Sequence, residues 1–132
     1  MKKITSSKPN RISRPKNTKP KPKKKTAQQL AKTERNRKLK EWSLKVRDRD
    51  GNKCVVCGKD TFIQAHHLAP KKQFPELMYE IEVGISVCPS HHVFGKANFE
   101  QNMIFAYEWL KKHRPKQFRW LRKKVYEQMN NE

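Results

Sequence analysis

The chain has 132 residues, of which 34% are hydrophobic and 33% charged, and its formal net charge is +20. This length predicts one domain with a small core, which usually needs a metal or disulfides as reinforcement. No apolar run could cross a bilayer and none follows the basic N-terminus, so neither a membrane span nor a secretory signal is expected. The charge favours a polyanionic partner, nucleic acid before an anionic membrane surface.

Residues 1–25 form a basic tail with several prolines, no acidic residue and almost no apolar side chain. We expect this tail to be disordered, because it cannot bury enough apolar surface to offset its ordering entropy. Lys23, Lys24 and Lys25 are candidate nucleic-acid contacts in an arm that follows the phosphate backbone. A solubilising tail, a segment that docks on a protein partner and a nuclear-localisation signal are the alternatives.

Residues 26–50 are predicted to form an N-terminal helix. Thr26 and Gln29 have the spacing of a capping box. The middle of the segment is almost wholly polar, so the helix should pack only near its C-terminal end, around Trp42 and Val46. An Asp-Gly-Asn sequence at positions 50–52 is a turn signal that should end it.

Residues 51–100 are predicted to form the core. Positions 61–63 and 85–87 have the composition of short strands, and Pro75 can begin a helical turn. Pro89 suits the first position of a further helix, which would carry His92.

Residues 101–132 are predicted to form two C-terminal helices, over about 101–112 and 115–128, which separate at Arg114-Pro115. Both carry many lysines and arginines between their apolar positions. These cations would form a solvated basic face that can also contact phosphate.

Two pairs of potential metal ligands share one spacing. Cys54 and Cys57 form a CxxC pair, and Cys88 and His91 form a CxxH pair about 30 residues later. Four such side chains can hold one tetrahedral zinc ion, and all three cysteines of the chain belong to the set. A redox CxxC pair would need a thioredoxin-like context, which the sequence lacks. We therefore predict a structural Zn²⁺ site.

Four of the five histidines lie within or beside this framework. His66 and His67 are adjacent near a predicted strand, where neighbouring side chains point to opposite faces, so one can bind a metal while the other faces water. His92 directly follows the second ligand pair. His113, at a basic helix end, is expected only to interact with the helix dipole.

These residues resemble the HNH endonucleases, whose core is a ββα-metal fold, in the phage-type members that add a zinc site. The resemblance covers about residues 42–112 and depends on the CxxC pair, the double histidine before a proline at 66–70, and the segment 84–92. It implies an α+β fold: a small zinc-stabilised ββα-metal (HNH) domain flanked by helices, with the disordered basic tail.

By the same resemblance, the chain would be a DNA-cutting hydrolase that leaves a 5′-phosphate and a 3′-hydroxyl, by nicking or double-strand cutting. His67 would be the general base, and His66 and His92 would hold a catalytic Mg²⁺ or another divalent ion. Lys71 and Lys72 would contact the nucleic acid. DNA would be the partner, with no membrane and no small-molecule substrate. The location would be the cytoplasm or nucleoid of a bacterial host.

Two positions depart from the family pattern. Val83 stands where the family has its middle asparagine, and Lys96 stands where many members have a third histidine. Asn98, Glu100 or water could complete the metal site instead. The departures leave open a second hypothesis, an HNH-derived zinc protein that binds nucleic acid without cutting it. A third, a basic zinc protein of ribosomal or RNA-binding type, leaves the double histidine unexplained.

Overall fold

The structure is a computed structural model that describes residues 3–7, 9, 12–13 and 15–131. The described residues before Ala27 form no helix or strand, and all of them are exposed. Disorder of the tail over residues 1–25, some of which lie outside the described part, stays a prediction.

Helix α1 spans Ala27–Arg49 and begins with the predicted capping box. The hydroxyl of Thr26 accepts a hydrogen bond from the Gln29 N–H (3.3 Å), and the Gln29 side chain accepts one from the Thr26 N–H (2.9 Å). Trp42 and Val46 are its buried residues, as the sequence predicts. In the long polar part before them, every residue from 27 to 38 is exposed, as expected.

A two-stranded antiparallel sheet follows, with β1 at Gln64–His67 and β2 at Gly84–Val87. The strand predicted at 85–87 is confirmed. The strand predicted at 61–63 is wrong, because Phe62 has a φ of 54° and an exposed side chain, which an extended strand does not allow.

Short helical turns lie around the sheet. Two 3₁₀ turns, Pro75–Leu77 and Ile81–Val83, connect the strands, and the first confirms the turn expected at Pro75. After β2 the chain forms one wide π-helical turn, Ser90–Phe94, which holds His92. The helix predicted to begin at Pro89 and to carry His92 is confirmed as this single turn, which directly follows Pro89.

Helices α2 (Met103–His113) and α3 (Pro115–Met129) confirm the predicted C-terminal pair. The mixture of helices with a small antiparallel sheet confirms the α+β class. Side chains from α2 join the core cluster on one face of the sheet, and side chains from α1 and α3 join the cluster on the other.

Alternation along β2 explains these two faces. Ile85 and Val87 pack with Cys54, Cys88 and Leu110, whereas the opposite face meets α1. Gly84 allows a close approach on that second face, because an added Cβ would lie 2.5 Å from the Trp42 ring and 2.6 Å from a Val46 methyl. The sheet is thus packed between helices on both of its faces.

Candidate metal and catalytic site

The ligand atoms of Cys54, Cys57, Cys88 and His91 all lie within 4.8 Å of one another. The Cys57 and Cys88 sulfurs are 3.7 Å apart, and His91 Nδ1 lies 3.6 Å from the Cys54 sulfur and 3.2 Å from that of Cys88. A tetrahedral zinc ion separates two sulfurs by about 3.8 Å and a sulfur and a nitrogen by about 3.6 Å. A disulfide would need about 2.05 Å, so the predicted set is arranged as a metal site.

The local backbone favours thiolate at this site. Burial alone would raise the pKa of the Cys54 thiol, but N–H groups of Cys57, Cys88 and Val56 outweigh it and hold the pKa below its ordinary value. Burial, with the neighbouring sulfurs, raises the pKa of Cys57. A bound cation would relieve the repulsion between the sulfurs, since zinc binds the deprotonated form.

A second cluster joins His66, His92 and Glu100, whose ligand atoms also lie within 4.8 Å of one another. One oxygen of Glu100 lies 3.3 Å from His66 Nδ1 and 3.8 Å from His92 Nε2. The Glu100 N–H donates to the His92 carbonyl oxygen (3.2 Å), and this bond holds the loop beside the π-helical turn. The third member of this cluster is therefore Glu100, one of the three possibilities (Asn98, Glu100 or water) that the sequence left open.

Gln64 fixes the orientation of His92. Its side-chain oxygen lies 2.6 Å from His92 Nδ1 and can only accept, so Nδ1 carries the proton. The lone pair is then on Nε2, the nitrogen that faces Glu100, as a metal ligand requires. The sequence held a signal for this contact, because Gln64 and His66 are two residues apart and share a face of β1.

The charges of this second cluster suit a cation. Burial lowers the pKa of His66 to about 4, with the nearby charges of His92 and His67 adding to the effect. His66 is therefore neutral at pH 7, and its contact with Glu100 is not an ion pair. The Glu100 carboxylate is half exposed, and a divalent ion could bind it together with the two imidazoles.

His67 points to the opposite face of β1. Its ring stacks on Trp42, with the centroids 3.8 Å apart and the planes inclined by 14°. Nε2 lies 2.9 Å from the Met78 carbonyl oxygen and must donate to it, which leaves the lone pair on Nδ1. Burial lowers the pKa of His67, the bond to Met78 opposes this, and the charge of Lys71 adds to the lowering.

The other candidate residues have simpler places. Asn98 is buried and binds backbone groups of Gly95 and Gln101 through both ends of its amide, so it is not available as a ligand. Lys96 is exposed, and Val83 is fully buried in the core.

The predicted basic contacts form two groups. Lys71 and Lys72 are exposed in the loop after β1, and Lys71 is near enough to His67 to affect its charge. Lys23, Lys24 and Lys25 border one surface depression together with Lys32 of α1.

Together, the fold and the first cluster define a small α+β protein with a Cys₃His group that could hold a metal ion such as zinc. No family model, no curated protein and no solved structure matches the chain. Among the helices that the structure describes, none has the length and apolar character needed to span a bilayer.

Proposed function

We propose that the chain is a metal-dependent endonuclease of the HNH type that hydrolyses DNA phosphodiester bonds. The observation that carries the proposal is the arrangement along β1, where His67 keeps a free Nδ1 while its neighbour His66 belongs to the cluster with His92 and Glu100. A formal net charge of +20 supports a polyanionic substrate.

His66, His92 and Glu100 would hold the divalent ion, and such an ion, when bound, polarises the scissile phosphate and stabilises charge on the leaving oxygen. Imidazole ligands favour transition ions, whereas Mg²⁺ prefers an all-oxygen shell. We therefore expect Mn²⁺ to support more activity than Mg²⁺ at equal concentration.

His67 would act as the general base. Nδ1 would take a proton from the attacking water while Nε2 donates to the Met78 carbonyl, and that bond stabilises the imidazolium that forms. The water oxygen would bond to phosphorus as the bond from phosphorus to the 3′ oxygen breaks, which yields a 5′-phosphate and a 3′-hydroxyl.

The Cys₃His cluster would take no part in the reaction. A zinc ion held by Cys54, Cys57, Cys88 and His91 would join the loop before β1 to the π-helical turn after β2. His91 and His92 are consecutive, so the same ion would also fix the backbone that presents His92.

Incubation of supercoiled plasmid with Mn²⁺ or Mg²⁺ tests the proposal. The parent protein should nick or linearise the plasmid, and His67→Ala should lower the rate at least about 100-fold, the usual minimum for a lost general base. His113→Ala is the matched control, because His113 is exposed at the end of α2. No metal-dependent cutting by the parent, or equal cutting by His67→Ala, would refute the nuclease.

The second candidate is an HNH-derived protein that binds nucleic acid without cutting it. The observation that favours it is Val83, which is fully buried where the resembled family has an asparagine. Binding of plasmid by a zinc-loaded protein that shows no cutting with either ion would support this candidate.

A further inference from the structure

The N-terminal part of α1 extends away from the packed body. All residues from 27 to 38 are exposed, and burial begins only further along the helix. The segment continues from the packed end of α1, so it needs no separate nucleation, but without burial its helix depends only on propagation and on the capping box at Thr26. A partner that contacts this segment would stabilise it.

One face of the segment continues the stripe that packs on the sheet. At about 100° per residue, Lys32, Arg35 and Lys38 fall within about 60° of the direction shared by Trp42 and Val46. The Lys38 ammonium lies 5.6 Å from the centre of the Tyr79 ring, and the Trp42 indole donates to the Glu80 carbonyl oxygen. These contacts show that the stripe faces the side of the molecule where Trp42 stacks on His67.

The acidic residues of the segment lie on the other side of the helix and are already engaged. Arg37 forms ion pairs with both Glu34 and Glu41. Within the described part of the chain, no ion pair involves Lys32, Arg35 or Lys38. Like charges spaced three residues apart on a helix repel one another, so a bound anion would relieve the repulsion along this row.

The row is continuous with other cations at its N-terminal end. Lys23, Lys24 and Lys25 border the same depression as Lys32. At the opposite end, Lys38 borders a cleft that Trp42 and Lys45 line together with three glutamates, Glu41, Glu80 and Glu82, so the cationic row ends there. A polyanion bound along the row runs from the tail lysines along α1 to Lys38.

We infer that Lys32, Arg35 and Lys38 form a binding face for the phosphate backbone of duplex DNA, which orients the duplex toward β1. This inference rests on the proposed function for the identity of the ligand. Exposed lysine and arginine side chains in a row bind consecutive phosphates without reading base sequence. The face therefore contributes affinity and orientation, not sequence preference.

The experiment compares two double variants that lose the same charge from opposite sides of α1. Lys32→Ala with Arg35→Ala removes one lysine and one arginine, three residues apart, from the proposed face. Arg37→Ala with Lys40→Ala removes the same pair of types from the other side. Alanine favours helix, so neither change should unfold the segment, and circular dichroism checks this.

Fluorescence anisotropy with a labelled duplex of about 20 base pairs, without added divalent ion, measures binding against salt concentration. Loss of two phosphate contacts should reduce the slope of log K against log salt by about 1.8 and weaken binding roughly tenfold or more at low salt. The control variant should lose less than half of that slope. Lys32→Arg with Arg35→Lys keeps both charges and should bind as the parent does.

Equal losses in the two double variants would mean that only net charge matters, and would overturn the inference. An unchanged slope for the first variant, or a parent that binds no duplex, would overturn it as well. The assay does not depend on cutting. Failure of the plasmid assay with these slopes intact would refute the nuclease alone.

Discussion

Replacement of Asp50 by asparagine should destabilise the protein by about 3 kcal/mol, because this carboxylate joins three elements of the fold. The Asp50 side chain is 1% exposed. Arg49 donates to both of its oxygens (3.0 and 2.9 Å), and Arg114 and the Ser86 N–H each donate at 3.0 Å. These bonds connect the end of α1 to β2 and to the start of α3.

The size of the effect follows from the charges left behind. Removal of one partner from a buried ion pair costs about 3–5 kcal/mol, because the remaining charge is uncompensated. Arg49 and Arg114 are 25% and 31% exposed, so water can solvate part of their charge and the lower end applies. For a domain of about 100 residues, about 3 kcal/mol corresponds to a melting temperature lower by roughly 12–24 °C.

Urea unfolding of the zinc-loaded protein, followed by circular dichroism, measures the difference between Asp50→Asn and the parent. Asp48→Asn is the matched control, since Asp48 is exposed two residues earlier on the same helix. An Asp50→Asn protein within about 1 kcal/mol of the parent, the usual range of an exposed ion pair, would refute this account.

The same pair of proteins yields a pH dependence with a definite sign. Burial alone would raise the pKa of Asp50, but hydrogen bonds from Arg49, Arg114 and Ser86 outweigh it and hold the pKa below its ordinary value. Such a group contributes its full stability above its unfolded pKa and loses it as pH falls through the folded pKa. The difference should stay constant from about pH 7 to about pH 5. A difference that grows as the pH falls through this window would mean that burial wins and raises the pKa of Asp50.

Three further substitutions test the packing and the two clusters. Gly84→Ala should cost about 1–3 kcal/mol in urea unfolding, because its Cβ would lie 2.5 Å from the Trp42 ring, and an unchanged midpoint would contradict that contact. Cys57→Ser should lower the zinc content and the melting temperature together. Because Cys57 is exposed, its replacement creates no cavity that could lower the melting temperature by itself. One zinc ion per chain of the variant by elemental analysis would exclude Cys57 as a ligand. Gln64→Leu should weaken Mn²⁺ binding about 10- to 100-fold in calorimetry by releasing the His92 ring, and unchanged affinity would show that Gln64 does not orient it.

The parts of the structure that the sequence predicts are those encoded by local spacing. Thr26 and Gln29 lie one helical turn apart, so the capping box and the start of α1 follow from four residues. The CxxC and CxxH pairs likewise impose their own geometry, and the fold only has to bring two such pairs together. For this reason the Cys₃His cluster could be predicted with its full set of residues.

The parts that escaped prediction depend on contacts between distant segments. Residues 61–63 have the composition of a strand, but Phe62 takes a positive φ and the ladder begins at Gln64. Glu100 reaches His66 and His92 through an irregular loop, which no periodic pattern describes. The acceptor for His67 is the backbone carbonyl of Met78. Every residue has such a carbonyl, so the residue type at position 78 could not predict this contact.

The Met78 carbonyl affects how Val83 is interpreted when the endonuclease is compared with a protein that only binds nucleic acid. In the ladder His67 lies opposite Gly84, and because glycine has no side chain, Trp42 packs against both. Met78 holds Nε2 of the same ring. His67 thus has a stacking partner and a hydrogen-bond acceptor without any asparagine, while the Val83 side chain fills the core. The valine at position 83 therefore does not deprive His67 of orientation, because Trp42 and Met78 already hold its ring. The plasmid assay with His67→Ala therefore decides between an endonuclease and a protein that only binds nucleic acid.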